Sequence, residues 1–300
     1  MNFSAQNIPY QSTGFYSTLL IDYVNQSEKL QPFLSAAPTI DGIKTAIAQR
    51  KKYATNRKAL VAILQKQYEG KTLSAKQQFN IEQLSSGNTF TITTAHQPNI
   101  LTGPLYFIYK ILHTVRLAEE FKKQLPENNF VPVYYMGSED ADLDELGHIY
   151  IHGEKHEWKT KQTGAVGRMK VDKDLIKLID TIAGQVLVKP HGNEIIGLMK
   201  ACYQENITIE EATFKLVHEL FKEFGVLVIL PDHAAIKRLF VPVVEKELNE
   251  AFSHLKVAET VAAFPAAYKV QASGRELNLF YLKDDRRDRN RSGGYKVQST

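Results

Sequence analysis

With 300 residues, 43% of them hydrophobic and 23% charged, the chain can bury the core of one large or two ordinary domains. Its single cysteine, Cys202, excludes an internal disulfide framework and a thiolate zinc site, since both need several cysteines at set spacing. The 37 basic and 33 acidic residues leave a formal charge of +4, which suits an anionic ligand such as a nucleotide and marks no nucleic-acid-binding face.

The opening residues, Met1-Asn2-Phe3-Ser4-Ala5-Gln6, lack the basic stretch and apolar run of a secretory signal, and no later run is apolar enough to cross a bilayer. A soluble, cytoplasmic protein is expected. Residues 1–87 read as a helical region, with apolar residues at helical spacing (Leu60, Ile63, Leu64, Tyr68) and breaks near Ala37-Pro38 and Gly70-Lys71. Gly70-Lys71-Thr72 resembles the end of a P-loop, but Gln65 stands where its first glycine belongs.

Residues 88–147 form the first β-α-β unit. Thr89-Phe90-Thr91-Ile92-Thr93-Thr94 is β-branched and aromatic and reads as a buried strand. Thr102-Gly103-Pro104 supplies a capping side chain and a first-turn proline, and Ile108, Ile111, Leu112, Val115 and Ala118 then repeat at helical spacing to about Gln124. Val131 to Met136 is a second apolar strand, so the pair implies a parallel sheet in an α/β fold.

Residues 148–215 read as an inserted connecting segment. Alternation and the glycines at 153, 164 and 167 predict hairpins projecting from the core, followed by helical spacing at Leu175, Ile179, Ile196 and Met199. The core resumes over 216–264, with a helix at Val217 to Phe224, a buried strand at Val226 to Leu230, the exit Pro231-Asp232-His233, and another helix. In 265–300, Tyr268 to Gln271 and Asn278 to Leu282 predict a hairpin running into a charged segment, Lys283 to Arg291.

Ligands of a parallel sheet sit at the carboxyl ends of its strands, where helix amino ends attract negative charge. Two loops fall there. Ala95 to Pro104 offers His96, Gln97 and a helix N-terminus, suited to phosphate or carboxylate; alternatively, Thr102 is a cap while His96 and Gln97 satisfy local backbone. Gly137 to Glu145 gathers five carboxylates, with Glu139 and Asp140 foremost for holding magnesium or taking a proton from an ammonium group. Its bland reading is a solvated helix start capped by Asp144 and Glu145. The loop does not match an EF-hand, since Glu145 and Ile151 stand where glycine and the bidentate glutamate belong.

Other candidates are weaker. His148, His152 and His156 recur every four residues, yet Gly153 argues against the helix a zinc site would need. His218-Glu219 lacks the second histidine of a zincin, with Lys222 in its place. Asp232-His233 faces the crevice or is only a cap, the charged run at 283–291 contacts phosphate or is a solvated turn, and Cys202 lies on a helix with no evident base.

Three segments resemble the bacillithiol-biosynthesis cysteine-adding enzymes: Thr93 to Gln97 through Leu101 to Tyr106 and Ile108-Tyr109-Lys110; Val131-Pro132-Val133 through Ser138-Glu139-Asp140-Ala141-Asp142; and Asn278 to Leu282 with Arg286. Looser similarity at Thr163-Gly164, Gly167-Arg168 and Leu230 to Pro242 extends the resemblance over most of the chain after Thr89.

The resemblance implies a Rossmann-like, nucleotidyltransferase-type core interrupted by connecting segments, followed in the family by a coiled coil associated with homodimers. This chain stops at Thr300, so that C-terminal part is expected to be missing from it. It also implies a ligase that joins cysteine to glucosaminyl malate through an amide bond, using ATP or another nucleotide. Its catalytic positions are His96, Gln97, Glu139 and Asp140; Glu139 and Asp140 would hold magnesium if the enzyme uses it. Substrate or nucleotide binding falls to Thr102, Gly103, Pro104, Tyr106, Lys110, Ser138, Asp142, Asp232, Asn278 and Arg286. The alternatives are a nucleotidyltransferase or amino-acid adenylate-former with another acceptor, and a nucleotide- or RNA-binding module without turnover.

Overall fold

A computed structural model describes residues 4, 6–272 and 274–289. In chain order the helices α1 to α5 span Tyr10–Thr13, Thr18–Val24, Ile40–Arg50, Arg57–Gln67 and Ala75–Gln83. Strand β1 (Thr89–His96), α6 (Tyr106–Gln124) and β2 (Asn129–Met136) follow. Next come α7 (Leu143–Leu146), β3 (His148–Ile151), β4 (Glu154–Glu157), α8 (Lys173–Val186), α9 (Gly192–Cys202) and α10 (Ile209–Phe221). The rest is β5 (Leu227–Ile229), α11 (Ala234–Glu250), α12 (Phe252–Ala263), β6 (Phe280–Leu282) and β7 (Arg287–Arg289). No helix among the described residues is long and apolar enough to cross a membrane.

Contacts divide the chain into two units, residues 1–54 with 246–278 and residues 55–245 with 279–300. The helical region expected over 1–87 is therefore shared between them, and the boundary at 245/246 falls inside α11. In the first unit, Tyr268 donates its hydroxyl proton to Asp22 at 2.6 Å and Phe33 meets Phe264 edge to face.

The second unit holds the parallel sheet, ordered β1-β2-β5. β1 and β2 pair from Thr89↔Asn129 to His96↔Met136, and β2 pairs with β5 from Val133↔Leu227 to Tyr135↔Ile229. β2 is the central strand and is buried along most of its length. Pro132, which has no N–H to donate, precedes the three residues paired with β5. β1 was expected to be buried, but among the described residues it is an edge strand, buried only at Thr89 and His96 and alternating between partly and fully exposed residues from Phe90 to Ala95. α6 is the crossover, laying Phe107, Ile111, Val115 and Ala118 on the sheet and ending at Gln124 as its periodicity predicts. Lys122 closes the return to β2 by donating to the Pro126 and Asn128 carbonyls.

Two apolar cores result. Leu64, Tyr68, Ile81 and Leu84 of α4, α5 and their ends pack on the sheet side together with Phe214, Val217 and Phe221 of α10. A second core gathers Trp158, Val166, Met169, Ile179, Tyr203 and the opposite face of α10, with Ile209, Ala212 and Leu216. The segment 148–170 was expected to project as hairpins. It contains one antiparallel hairpin, β3-β4, and the rest folds inward because Trp158, Ala165, Val166 and Met169 are apolar and buried. The expected boundary at 215/216 falls within α10, which serves both cores. The C-terminal hairpin also differs from expectation: β6 pairs with β7, inside the charged run, and not with Tyr268 to Gln271. Residues 290 and 291 of that run lie outside the described residues.

Candidate active site

β1 and β2 end side by side, and α6 starts from the edge where they end. α10 runs into β5, so its amino end returns to the same edge. The loops after β1, β2 and β5, the amino ends of α6 and α10, and the turn at Val166–Arg168 gather into one polar cluster at the strand ends, where a parallel sheet opens its crevice.

The two predicted loops meet. The Gln97 amide donates to Asp140 Oδ2 at 3.1 Å, and the Gly137 N–H donates to the His96 carbonyl at 2.9 Å. His96 Nδ1 lies 3.1 Å from the Gln97 carbonyl, and Nε2 lies 3.1 Å from the Tyr106 hydroxyl. With Nδ1–H donating to the carbonyl, Nε2 accepts from Tyr106, so both ring nitrogens are engaged. Burial is the main cause that holds the imidazole below its ordinary pKa, and Lys110 adds to it. His96 thus has both ring nitrogens engaged and orients a half-exposed tyrosine hydroxyl. Lys110 reaches back to the Ala95 carbonyl at 2.6 Å.

Thr102 does not cap α6. Leu105 occupies the cap position with no side-chain bond, and the first turn closes through Phe107 N–H to Pro104 O and Ile108 N–H to Leu105 O. The loop instead passes through three positive-φ residues, Leu101, Thr102 and Gly103, and Tyr203 anchors it from below by accepting the Leu101 N–H at 2.9 Å. At Gly103 (φ 60°, ψ −139°) a Cβ would lie 2.6 Å from Asn99 Cβ, so only glycine fits.

In the acidic loop, Asp142 caps α7 by accepting the Glu145 N–H at 3.1 Å. Asp144 and Glu145 follow it in the first turn, so the capping role expected of them belongs to Asp142, whose exposed side chain is committed locally. Glu139 pairs with Lys237 at 2.9 Å. Ser138 is buried, and its hydroxyl has no hydrogen-bond partner of good geometry.

Asp232 is no mere cap. It accepts two bonds from Arg168, Nε to Oδ2 at 2.6 Å and Nη2 to Oδ1 at 2.9 Å, and a further short bond from Lys237. Burial pushes its carboxyl up, but these cations outweigh it and leave the pKa below the usual carboxylate value. Arg168 is placed by Gly167, whose N–H donates to the Ser138 carbonyl and whose absent Cβ would lie 2.5 Å from Ser138.

The β6-β7 turn lies against this unit. Thr163 donates to the Asp285 carbonyl at 2.8 Å, and Gly164 (φ 91°) allows that approach. Arg286 turns to Asp288 at 3.0 Å, whereas Arg287, stacked on Phe280, approaches Asp140 at 3.9 Å. Asn278 belongs to the other unit, where its N–H donates to Glu247.

Four residues of the crevice were not singled out from sequence: Arg168, Glu210, Lys237 and Arg287. Glu210 was hidden by a familiar helix start, since Thr208 caps α10 by accepting the Glu211 N–H and acids are common in first turns. Its carboxyl is pushed above the ordinary value, mainly by burial; the Ser138 hydroxyl opposes this, Asp232 and Glu139 add to it, and Arg168 opposes it.

His148, His152 and His156 lie on the β3-β4 hairpin, and no group of three or more histidine, cysteine or acidic residues among the described residues is set to hold a metal. Cys202 is buried, and its thiol is pushed up to about 11 chiefly by that burial, so it is no nucleophile near neutral pH.

Fold and crevice together define a Rossmann-like α/β domain with its polar site at the strand ends. The chain matches the model described as "Bacillithiol biosynthesis BshC, N-terminal Rossmann-like domain" over residues 3–300, and it belongs to that family. It is 42% identical over 288 residues to a protein of Cytophaga hutchinsonii, covering 96% of this chain and 53% of that protein. It is 37% identical over 298 residues to one of Flavobacterium psychrophilum, covering 98% and 56%. Both relatives carry the name "Putative cysteine ligase BshC". The chain spans about half the length of these relatives.

Proposed function

We propose that the protein acts in bacillithiol biosynthesis as a ligase that joins cysteine to glucosaminyl malate through an amide bond, with this chain supplying the crevice in which the carboxyl group is activated. The observation that carries the reading is the Gln97–Asp140 bond, which joins the histidine-glutamine and acidic loops at the strand ends of a chain belonging to the BshC family.

A carboxylate is a poor electrophile, and a nucleotide such as ATP, when bound, supplies the activated carboxyl. The residues of this chain then hold and orient. The Gln97 amide gives one N–H to Asp140 and keeps the other as a neutral donor for developing charge, while Tyr106 gives its single hydroxyl proton to His96. Arg168, Lys237 and Arg287 give the crevice its cationic side. Glu139 and Asp140 are the carboxylates that would hold magnesium, which would supply positive charge beside the phosphates. The same reading takes the full-length protein as a cytoplasmic homodimer built on the coiled coil of its family.

Full-length protein incubated with cysteine, glucosaminyl malate, ATP and magnesium is expected to yield bacillithiol, detected by mass spectrometry. No product with any nucleotide would sink the reading, and amino-acid-dependent pyrophosphate exchange without product would favour an adenylate-former with another acceptor. Asp140→Ala is expected to lower kcat about 100-fold.

A further inference from the structure

The crevice holds four carboxylates close to one another, and three of them are committed. Glu139 is paired with Lys237, and Asp232 is held by Arg168 and Lys237 together. Asp140 accepts from the Gln97 amide and from the Ala141 N–H, with Arg287 at 3.9 Å. A carboxylate already held by a cation or by fixed donors has fewer lone pairs free to meet a substrate amine. Glu210 differs. It forms no ion pair among the described residues, it is only partly exposed, and it stands at the amino end of α10 beside the strand ends.

A second, independent feature points to the same spot. Ser138 is 1% exposed, and its hydroxyl is left without a hydrogen-bond partner of good geometry although it faces the Glu210 carboxyl closely enough to favour the ionised form. A buried hydroxyl left in this state is costly, and a polar ligand group placed between it and Glu210 would satisfy it. The groups around Glu210 are Ser138 and Glu139 from the loop after β2, Arg168 from the turn at Val166–Arg168, and Asp232 from the exit of β5.

We infer that Glu210 is the catalytic base that takes the proton from the amine of the acceptor substrate, and that Ser138 positions that amine against it. The inference rests on the ligase reading above. The acceptor enters as an ammonium ion, and one proton passes to Glu210, which becomes a neutral carboxylic acid. The freed nitrogen lone pair attacks the activated acyl carbon. The C–N bond forms as the bond from that carbon to the phosphate-bearing oxygen breaks, and the oxygen departs with the electron pair. The second nitrogen proton goes to solvent, and Glu210 returns its proton to solvent as the product leaves. Burial holds the Glu210 carboxyl above its ordinary value, which makes it the stronger proton acceptor such a transfer needs.

The test is the pH dependence of amide formation by the full-length protein with cysteine, ATP and the glucosamine-type amine. Glu210→Gln is expected to lower kcat about 100-fold or more and to abolish the acid limb of the kcat profile, while Glu210→Asp restores the limb and part of the rate. A Glu210→Gln kcat within about twofold of wild type, an unmoved acid limb, or a loss confined to KM for the amine overturns the inference. Should Glu210→Gln fail to fold, Ser138→Ala keeps the carboxyl while removing the hydroxyl that favours its ionised form. Its acid limb is then expected to move to higher pH, and an unmoved limb overturns the inference. Absence of product from the wild-type protein defeats the ligase reading itself, whereas product at an undiminished rate from Glu210→Gln defeats this inference alone.

Discussion

Single side chains in this protein are set by what burial does to their charge. His218 is buried between Phe214 and Tyr68, with the Gln77 amide 3.3 Å from its Nδ1, and burial is the first cause that holds it below its ordinary 6.5. The unfolded chain binds a proton near 6.5 and the folded chain only at lower pH, so the stability this residue contributes is present above 6.5 and is lost as pH falls toward the folded value. His96 acts in the same direction. Urea unfolding is expected to show a midpoint that falls between about pH 7 and 5, and His218→Gln should flatten that slope. Backbone demands are as local. Gly103→Ala is expected to cost about 1–3 kcal/mol, seen as a lower Tm, because it combines a glycine-only conformation with a contact to Asn99. Gly87→Ala, with open space around it and no positive φ, should change stability by less than about 0.5 kcal/mol.

The same forces act through whole elements in α8. Leu175, Leu178, Ile179, Ile182 and Ala183 fall on one face and bury it in the second core, so Ile179→Ala is expected to cost about 2–5 kcal/mol by urea unfolding. The start of the helix is fixed by Asp172, which accepts the Leu175 N–H at 2.9 Å and the Trp158 indole N–H at 2.8 Å. Asp172→Ala removes the cap and orphans the buried indole. A loss of about 1–3 kcal/mol is expected, and Asp172→Asn, which keeps an acceptor, should lose less. The strong period of α6 was legible in sequence because it buries one face on the sheet, whereas the stretch holding α8 read as mixed, with helical spacing only at Leu175 and Ile179. α10 was read only from Val217, although Thr208 caps it at Ile209 and Glu211, Lys215 and Glu219 line its polar side; its apolar residues divide between the two cores.

At the scale of the molecule, both apolar cores lie in the unit made by residues 55–245 and 279–300, while the other unit buries only a few side chains such as Leu30, Tyr268 and Leu277. Opening free energy follows buried apolar contact. Hydrogen exchange is therefore expected to reach the amides of α3 and α12 well before those of β2 and α10, and equal protection would contradict this.

By itself the sequence determined the β-α-β unit, its parallel sense and its two polar loops, because strand and helix periods and turn residues are written within a few positions of one another. It could not show that β1 is an edge or that segment 148–170 folds into a core, since both depend on which distant surface arrives to cover a side chain. The membership of the crevice was decided in the same way. His96, Gln97, Glu139 and Asp140 stand beside strand ends and are visible there, whereas Arg168, Glu210, Lys237 and Arg287 reach the site from turns and helix starts far along the chain. Only tertiary structure brings Arg168 to Asp232, 64 residues away, and leaves Glu210 without an ion pair among the described residues. The charge state of each carboxyl, and with it the chemistry open to the site, follows from that neighbourhood and not from the residue's type.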